Sequence, residues 1–243
     1  MGFLSFCYGD NFAVEIARLV SFEKEARAAK IGHDMRLIWR TRFLMLFLMF
    51  GVVSFIFIFW ELRQAMINIA SKFTNWTLFT TLAFQLVTIK AAREPDIQKR
   101  PALKATVHLL FEAAFLMNIV TVSVYWTVLH AHEIERQPDP FKRLHLYNVH
   151  IIPALSFLVN YIWLDIRLAK NHVKAFFVMA LVFGVSNYRT TKAQGKPVYF
   201  FLTWEDQTSF YIFGGMIVGF YIVWHGLVKF SFWLKPVKIL FAE

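Results

Sequence analysis

Six stretches of the chain are apolar over enough residues to cross a bilayer as helices, and short polar segments separate them. They lie near 38–60, 73–91, 106–130, 147–168, 173–189 and 208–230. A spanning helix takes about 20 mostly apolar residues. The fifth stretch, HVKAFFVMALVFGVSNY, is short for that length and predicts a tilted helix or a locally thinned bilayer. The pattern predicts an all-α fold: a polytopic membrane helical bundle of about six transmembrane helices over residues 37–234. A basic segment, 1–36, precedes it and a short tail, 235–243, follows. In the first segment Phe12, Ile16, Leu19 and Val20 share one helical face, as in an amphipathic helix lying on a membrane surface. A tail without fixed structure is the competing reading.

The polar positions inside these stretches are few and patterned. Thr74, Thr77, Thr81, Gln85 and Thr88 are spaced 3, 4, 4 and 3 apart, which draws a polar stripe down one face of the second span. A stripe of this kind turns into the bundle rather than toward lipid. Serine and threonine also join membrane helices by bonding to carbonyls, and the spacing alone favours that structural role. The fourth stretch opens with His145, Asn148 and His150, and Pro153 reads as a helix-start proline. Before the sixth stretch, AQGKPVYFFLTWEDQ carries Gly195, Pro197, Tyr199, Trp204, Glu205 and Asp206. In the third, His108 and Glu112 are four apart and can pair on one face. A carboxylate inside a span is a functional candidate, with a paired structural group slightly preferred.

Charge gives the bundle a direction. The formal net charge is +10, with 26 Lys and Arg, of which 18 fall on the side of both termini and 8 on the other. By the positive-inside rule both termini face the cytoplasm or the equivalent side of an organelle membrane. The endoplasmic reticulum and the mitochondrial inner membrane both remain open. The starts of the second and fourth spans and the fifth loop then converge on the charge-poor side. In a chain that is 58% hydrophobic, basic loops point to lipid headgroups rather than nucleic acid. The single cysteine, Cys7, excludes an internal disulfide or a cysteine metal cage. There is no Gly-rich phosphate loop and no zinc-ligand spacing, so no cofactor and no metal are predicted. A haem held by His108 and His225 is a minor alternative, since histidines at span ends are usually interfacial.

Three short motifs, KFTNWT, VHIIPALSF and GKPVYFFLTW, resemble the androgen-induced-gene family of six-span membrane proteins. The similarity covers roughly residues 37–230 and leaves out the N-terminal segment. That family includes hydrolases of fatty acid esters of hydroxy fatty acids that use a threonine and a histidine. The resemblance implies Thr74 as nucleophile and His150 as base, with Asn75, Asn148 and Tyr199 in support. It implies a lipid-ester substrate in a membrane-lipid setting, with other membrane subunits as further partners. Two departures stand out. Thr77 occupies a position where the family usually has Asn or Asp, and the His-to-Pro spacing is shorter, which leaves His145 as an alternative base. Such departures also fit a non-catalytic accessory subunit of a larger membrane complex.

Overall fold

The computed structural model describes residues 20–21, 35–59, 62–94 and 99–234. The helices in chain order are α1 (Met35–Phe59), α2 (Leu62–Ser71), α3 (Phe73–Ala92) and α4 (Pro101–Val124). A π-helical turn, Tyr125–Leu129, carries α4 directly into α5 (His130–Arg136). Then come α6 (Pro140–Trp163), α7 (Val173–Gln194) and α8 (Gln207–Leu234). Among the described residues, three helical runs are long and apolar enough to cross a membrane: Leu37–Ile58, Pro101–Arg136 and Gln207–Ser231.

Each of the six apolar stretches forms a helix over most of its length, the fourth ending at Trp163 rather than 168. The short α2 between the first two was not anticipated. The fifth helix extends past the expected end at 189 to Gln194, where Gly195 closes it in the left-handed conformation (φ 63°) that glycine adopts without strain.

The fourth helix corrects the sequence reading. It begins at Pro140 rather than near 147, so Pro153 and His150 lie in its interior. Asp139 is the reason: its carboxylate accepts the N–H groups of Phe141 and Lys142 at 2.9 and 3.4 Å, and Pro140 supplies the preset first φ. That start signal is polar, and so falls outside the apolar run. Pro153, with no N–H, leaves one main-chain acceptor of the preceding turn without its usual bond.

Val20 departs from expectation too. With Ser21 it forms a two-residue strand, β1 (Val20–Ser21), antiparallel to β2 (Asp165–Ile166). The amphipathic helix drawn over Phe12, Ile16 and Leu19 therefore does not run on through Val20. The rest of that segment and the 235–243 tail lie outside the described residues.

Helices α1, α3, α4 and α6 form the centre, and α3 has its most extensive packing against α4. The core is aromatic: Phe111 meets Phe84 at 5.7 Å and Phe157 at 5.1 Å between ring centroids. The threonine stripe lies along the α3–α4 seam. Thr77 donates to the Phe73 carbonyl (3.1 Å) and shares a bond with Thr121 Oγ1 (2.7 Å), while Asn118 Nδ2 donates to Thr81 Oγ1 (2.9 Å). Thr77 and Thr81 therefore join α3 to α4, Gln85 and Thr88 are buried farther along the helix, and Thr74, at the end of the stripe, faces another partner.

Candidate active site

Thr74 stands in the first turn of α3, half-buried. Its Oγ1 lies 3.2 Å from Nε2 of the buried His150 on α6. The other ring nitrogen, Nδ1, lies 2.6 Å from the Leu146 carbonyl oxygen one turn earlier. A carbonyl oxygen only accepts, so Nδ1 carries the proton and Nε2 is bare. The Thr74 hydroxyl is then the donor to Nε2. A hydroxyl donating to an unprotonated imidazole is the arrangement that lets a weak nucleophile lose its proton as it attacks.

His150 is also held from the side. Tyr125 stacks flat on it, with centroids 3.4 Å apart and planes 10° from parallel. Tyr125 is the first residue of the π-helical turn, a local widening that often marks functional positions. The extra residue per turn sets where this ring comes off α4.

The loop after α7 delivers Tyr199, whose hydroxyl accepts the Phe73 N–H at 2.8 Å. Trp204 fixes that loop in a left-handed conformation (φ 58°) that is costly for a bulky residue unless its surroundings hold it. They do: Trp204 N–H bonds to Ser209 Oγ and its indole N–H to Asn187 Oδ1, both at 2.8 Å.

Two cavities meet at Thr74. One, of about 110 Å³, is lined by Lys72, Asn75, Glu133, Lys142, His145 and His150 together with apolar side chains such as Ile56 and Val149. The other, of about 30 Å³, is lined mainly by apolar side chains, among them Phe73, Val124, Phe183, Phe201 and Met216. Thr74, Tyr125, Leu129 and Tyr199 border both. Burial pushes the Lys72 ammonium below its ordinary range, and the Glu133 carboxylate opposes this. Burial raises the Tyr199 phenol, with the Phe73 N–H opposing, so its hydroxyl stays protonated.

No family model, curated protein or solved structure matches the chain. The geometry must carry the functional argument.

Of the residues singled out in the sequence, the structure gathers Thr74, Asn75, His145, His150 and Tyr199 around one cavity. His145 lies in its wall, stacked on Phe55 with centroids 5.9 Å apart; the hydrogen bond to Thr74 comes from His150. Asn148 is half-buried and does not line this cavity. The group that orients His150 is the Leu146 carbonyl. Glu205 and Asp206 are exposed, and Asp206 instead accepts the Thr208 N–H at the start of α8 (2.9 Å). The sequence reading missed Tyr125, Leu146 and Glu133. A backbone carbonyl leaves no trace in sequence, and YWTVL carries no mark of a π turn.

His108 and Glu112 do pair, with Nε2 3.3 Å from Oε1. The structure adds His172, which bonds through Nδ1 to Glu112 Oε2. His225 has a different neighbour, Tyr221, with centroids 4.3 Å apart.

Proposed function

We propose that this chain is an integral-membrane lipid-ester hydrolase, with Thr74 as nucleophile and His150 as base. The observation that carries this is the Thr74–His150 hydrogen bond with the imidazole proton fixed on the far nitrogen. Its position beside a cavity of about 110 Å³, lined by polar and apolar side chains, suits an ester carbonyl with water at hand.

Thr74 Oγ1 attacks the ester carbonyl carbon while its proton passes to His150 Nε2. The tetrahedral intermediate collapses, the C–O bond breaks, and the departing alkoxide takes that proton. Water then gives a proton to Nε2 and attacks the acyl-threonine, which releases the fatty acid and restores Thr74. The negative charge on the carbonyl oxygen is met by the start of α3 and by Tyr199. The Tyr199 oxygen already accepts the Phe73 N–H, so its proton is left to donate. No carboxylate orients His150. The Leu146 carbonyl sets the tautomer, and the face of Tyr125 stabilises the imidazolium formed during each step.

The six helices cross the bilayer as six spans, with the Thr74 end on the charge-poor side and both termini opposite. The resemblance to the androgen-induced-gene family points to the same two residues and to fatty-acyl esters as the substrate class. Activity labelling of the purified protein with a lipid fluorophosphonate tests the proposal. Wild type should label and Thr74→Ala should not, at equal folded yield. A well-folded wild type that neither labels nor cleaves any long-chain ester would instead favour a non-catalytic membrane subunit. The largely outward face of α8, with only 11% of its most apolar window buried, would serve that role.

A further inference from the structure

The second histidine cluster lies near the start of α4, His108 being about 20 Å along the helix from Thr121 at 1.5 Å per residue. His108 and Glu112 are wholly buried and His172 is 1% exposed. One ligand-capable atom from each of the three lies within 4.8 Å of the others.

We propose that His108, Glu112 and His172 bind a first-row divalent cation, zinc by preference, which fastens α4 to the segment leading into α7. Three observations converge on this. The first is the donor set. Two imidazoles and one carboxylate suit zinc or ferrous iron, and not magnesium or calcium, which take mostly oxygen.

The second is charge. His108 Nε2 donates to the Arg167 carbonyl oxygen at 2.6 Å, and His172 Nδ1 bonds to Glu112. Glu112 brings its carboxylate into a fully enclosed setting between the two imidazoles. A cation balances it. On binding, His108 Nε2 and His172 Nδ1 must each present a bare lone pair to the ion, and the protons they carry are released.

The third is support. Glu112 Oε1 is held by the Ala169 N–H at 2.5 Å, the kind of outer bond that orients a ligating carboxylate. The Arg167 carbonyl oxygen stands beside His108 Nε2 as a fourth oxygen donor. Ligands about 2.1 Å from a tetrahedral ion sit about 3.4 Å apart. His108 Nε2 and Glu112 Oε1 already have nearly that spacing, at 3.3 Å. His172 and Glu112, now in direct contact, would draw apart as the ion enters between them. HxxxE on one helix with a histidine 60 residues on has no fixed motif spacing, which is why the sequence alone pointed to no metal.

The test uses untagged full-length protein in detergent, stripped with a chelator and dialysed. Titration with Zn²⁺ should load about one ion per chain and raise Tm, while Mg²⁺ should do neither. Co²⁺ should give the visible d–d bands of a tetrahedral site, which Zn²⁺ then abolishes. Glu112→Gln and His172→Asn should lower uptake at least tenfold. If these variants do not fold, the Co²⁺ spectrum of wild type decides alone. A stripped wild type that takes up neither ion, or variants that bind as well as wild type, would overturn the proposal. The cluster would then be a hydrogen-bonded node around a proton.

Discussion

At one end of α4 a histidine lines a cavity and meets a threonine that borders two; near the other, two histidines and a glutamate are enclosed. Both clusters join residues from distant segments, and both include a very short or stacked contact with an imidazole. The difference is access. His150 Nε2 points to a hydroxyl that lines a cavity of about 110 Å³. Glu112 spends both oxygens on partners: Ala169 and His108 on one, His172 on the other. A reacting group needs a face left open, whereas a group that holds a fold together needs all its bonds made. Burial of polar residues marks both ends equally, so burial alone does not tell reaction from support.

Substitutions should separate the two ends. The largest expected effect is on catalysis. His150→Ala should lower lipid-ester hydrolysis by about 10²–10⁴-fold. Combining it with Thr74→Ala should cost little more, because nucleophile and base act as a unit. Steady-state rates on a long-chain ester, at matched folded protein, provide the measurement. Additive losses would break the comparison at its open end. At the enclosed end, Glu112→Ala should lower stability by about 3–5 kcal/mol, the cost of removing one partner from a buried polar cluster. Turnover per folded molecule should stay unchanged. Thermal unfolding and the same assay read both quantities, and a rate loss without a stability loss would contradict the assignment.

Smaller changes sharpen the picture. Tyr125→Ala removes the ring stacked on His150, and aromatic stacking is worth about 0.5–1.5 kcal/mol. Turnover should therefore fall about two- to tenfold, while Tyr125→Phe, which keeps the π face, stays within about twofold of wild type. Equal losses in both variants would shift the role from the ring to the hydroxyl and its contact with His130 (3.3 Å). The smallest effect belongs to the seam. Thr77→Val removes the bond to Thr121, and a side-chain bond between membrane helices averages about 0.6 kcal/mol. Stability should fall by that order and turnover should not change. A large activity loss would bring Thr77, and its departure from the family pattern, into the chemistry.

The sequence by itself determined where the six long helices lie, though not all of their ends. An apolar run is a local property, so each of the six stretches marked a helix, and the threonine stripe turned inward as its period required; the short α2 and the early start of α6 left no apolar mark. The Glu112–His108 pairing was legible for the same reason, since four residues is one helical turn. The resemblance pointed to Thr74 and His150, but neither periodicity nor spacing could bring together two side chains 76 residues apart. The start of α6 shows where a local reading misleads. Hydropathy marks where apolar sequence begins, while a helix begins where its first N–H groups find acceptors, and here that is Asp139. Tertiary structure alone decided that Leu146 gives its carbonyl to His150, that a π turn lays Tyr125 on the same ring, and that His172 completes the pair at Glu112. Each depends on the rotation and height of one helix against another. Those are fixed by packing summed over the whole bundle, and no single segment encodes them.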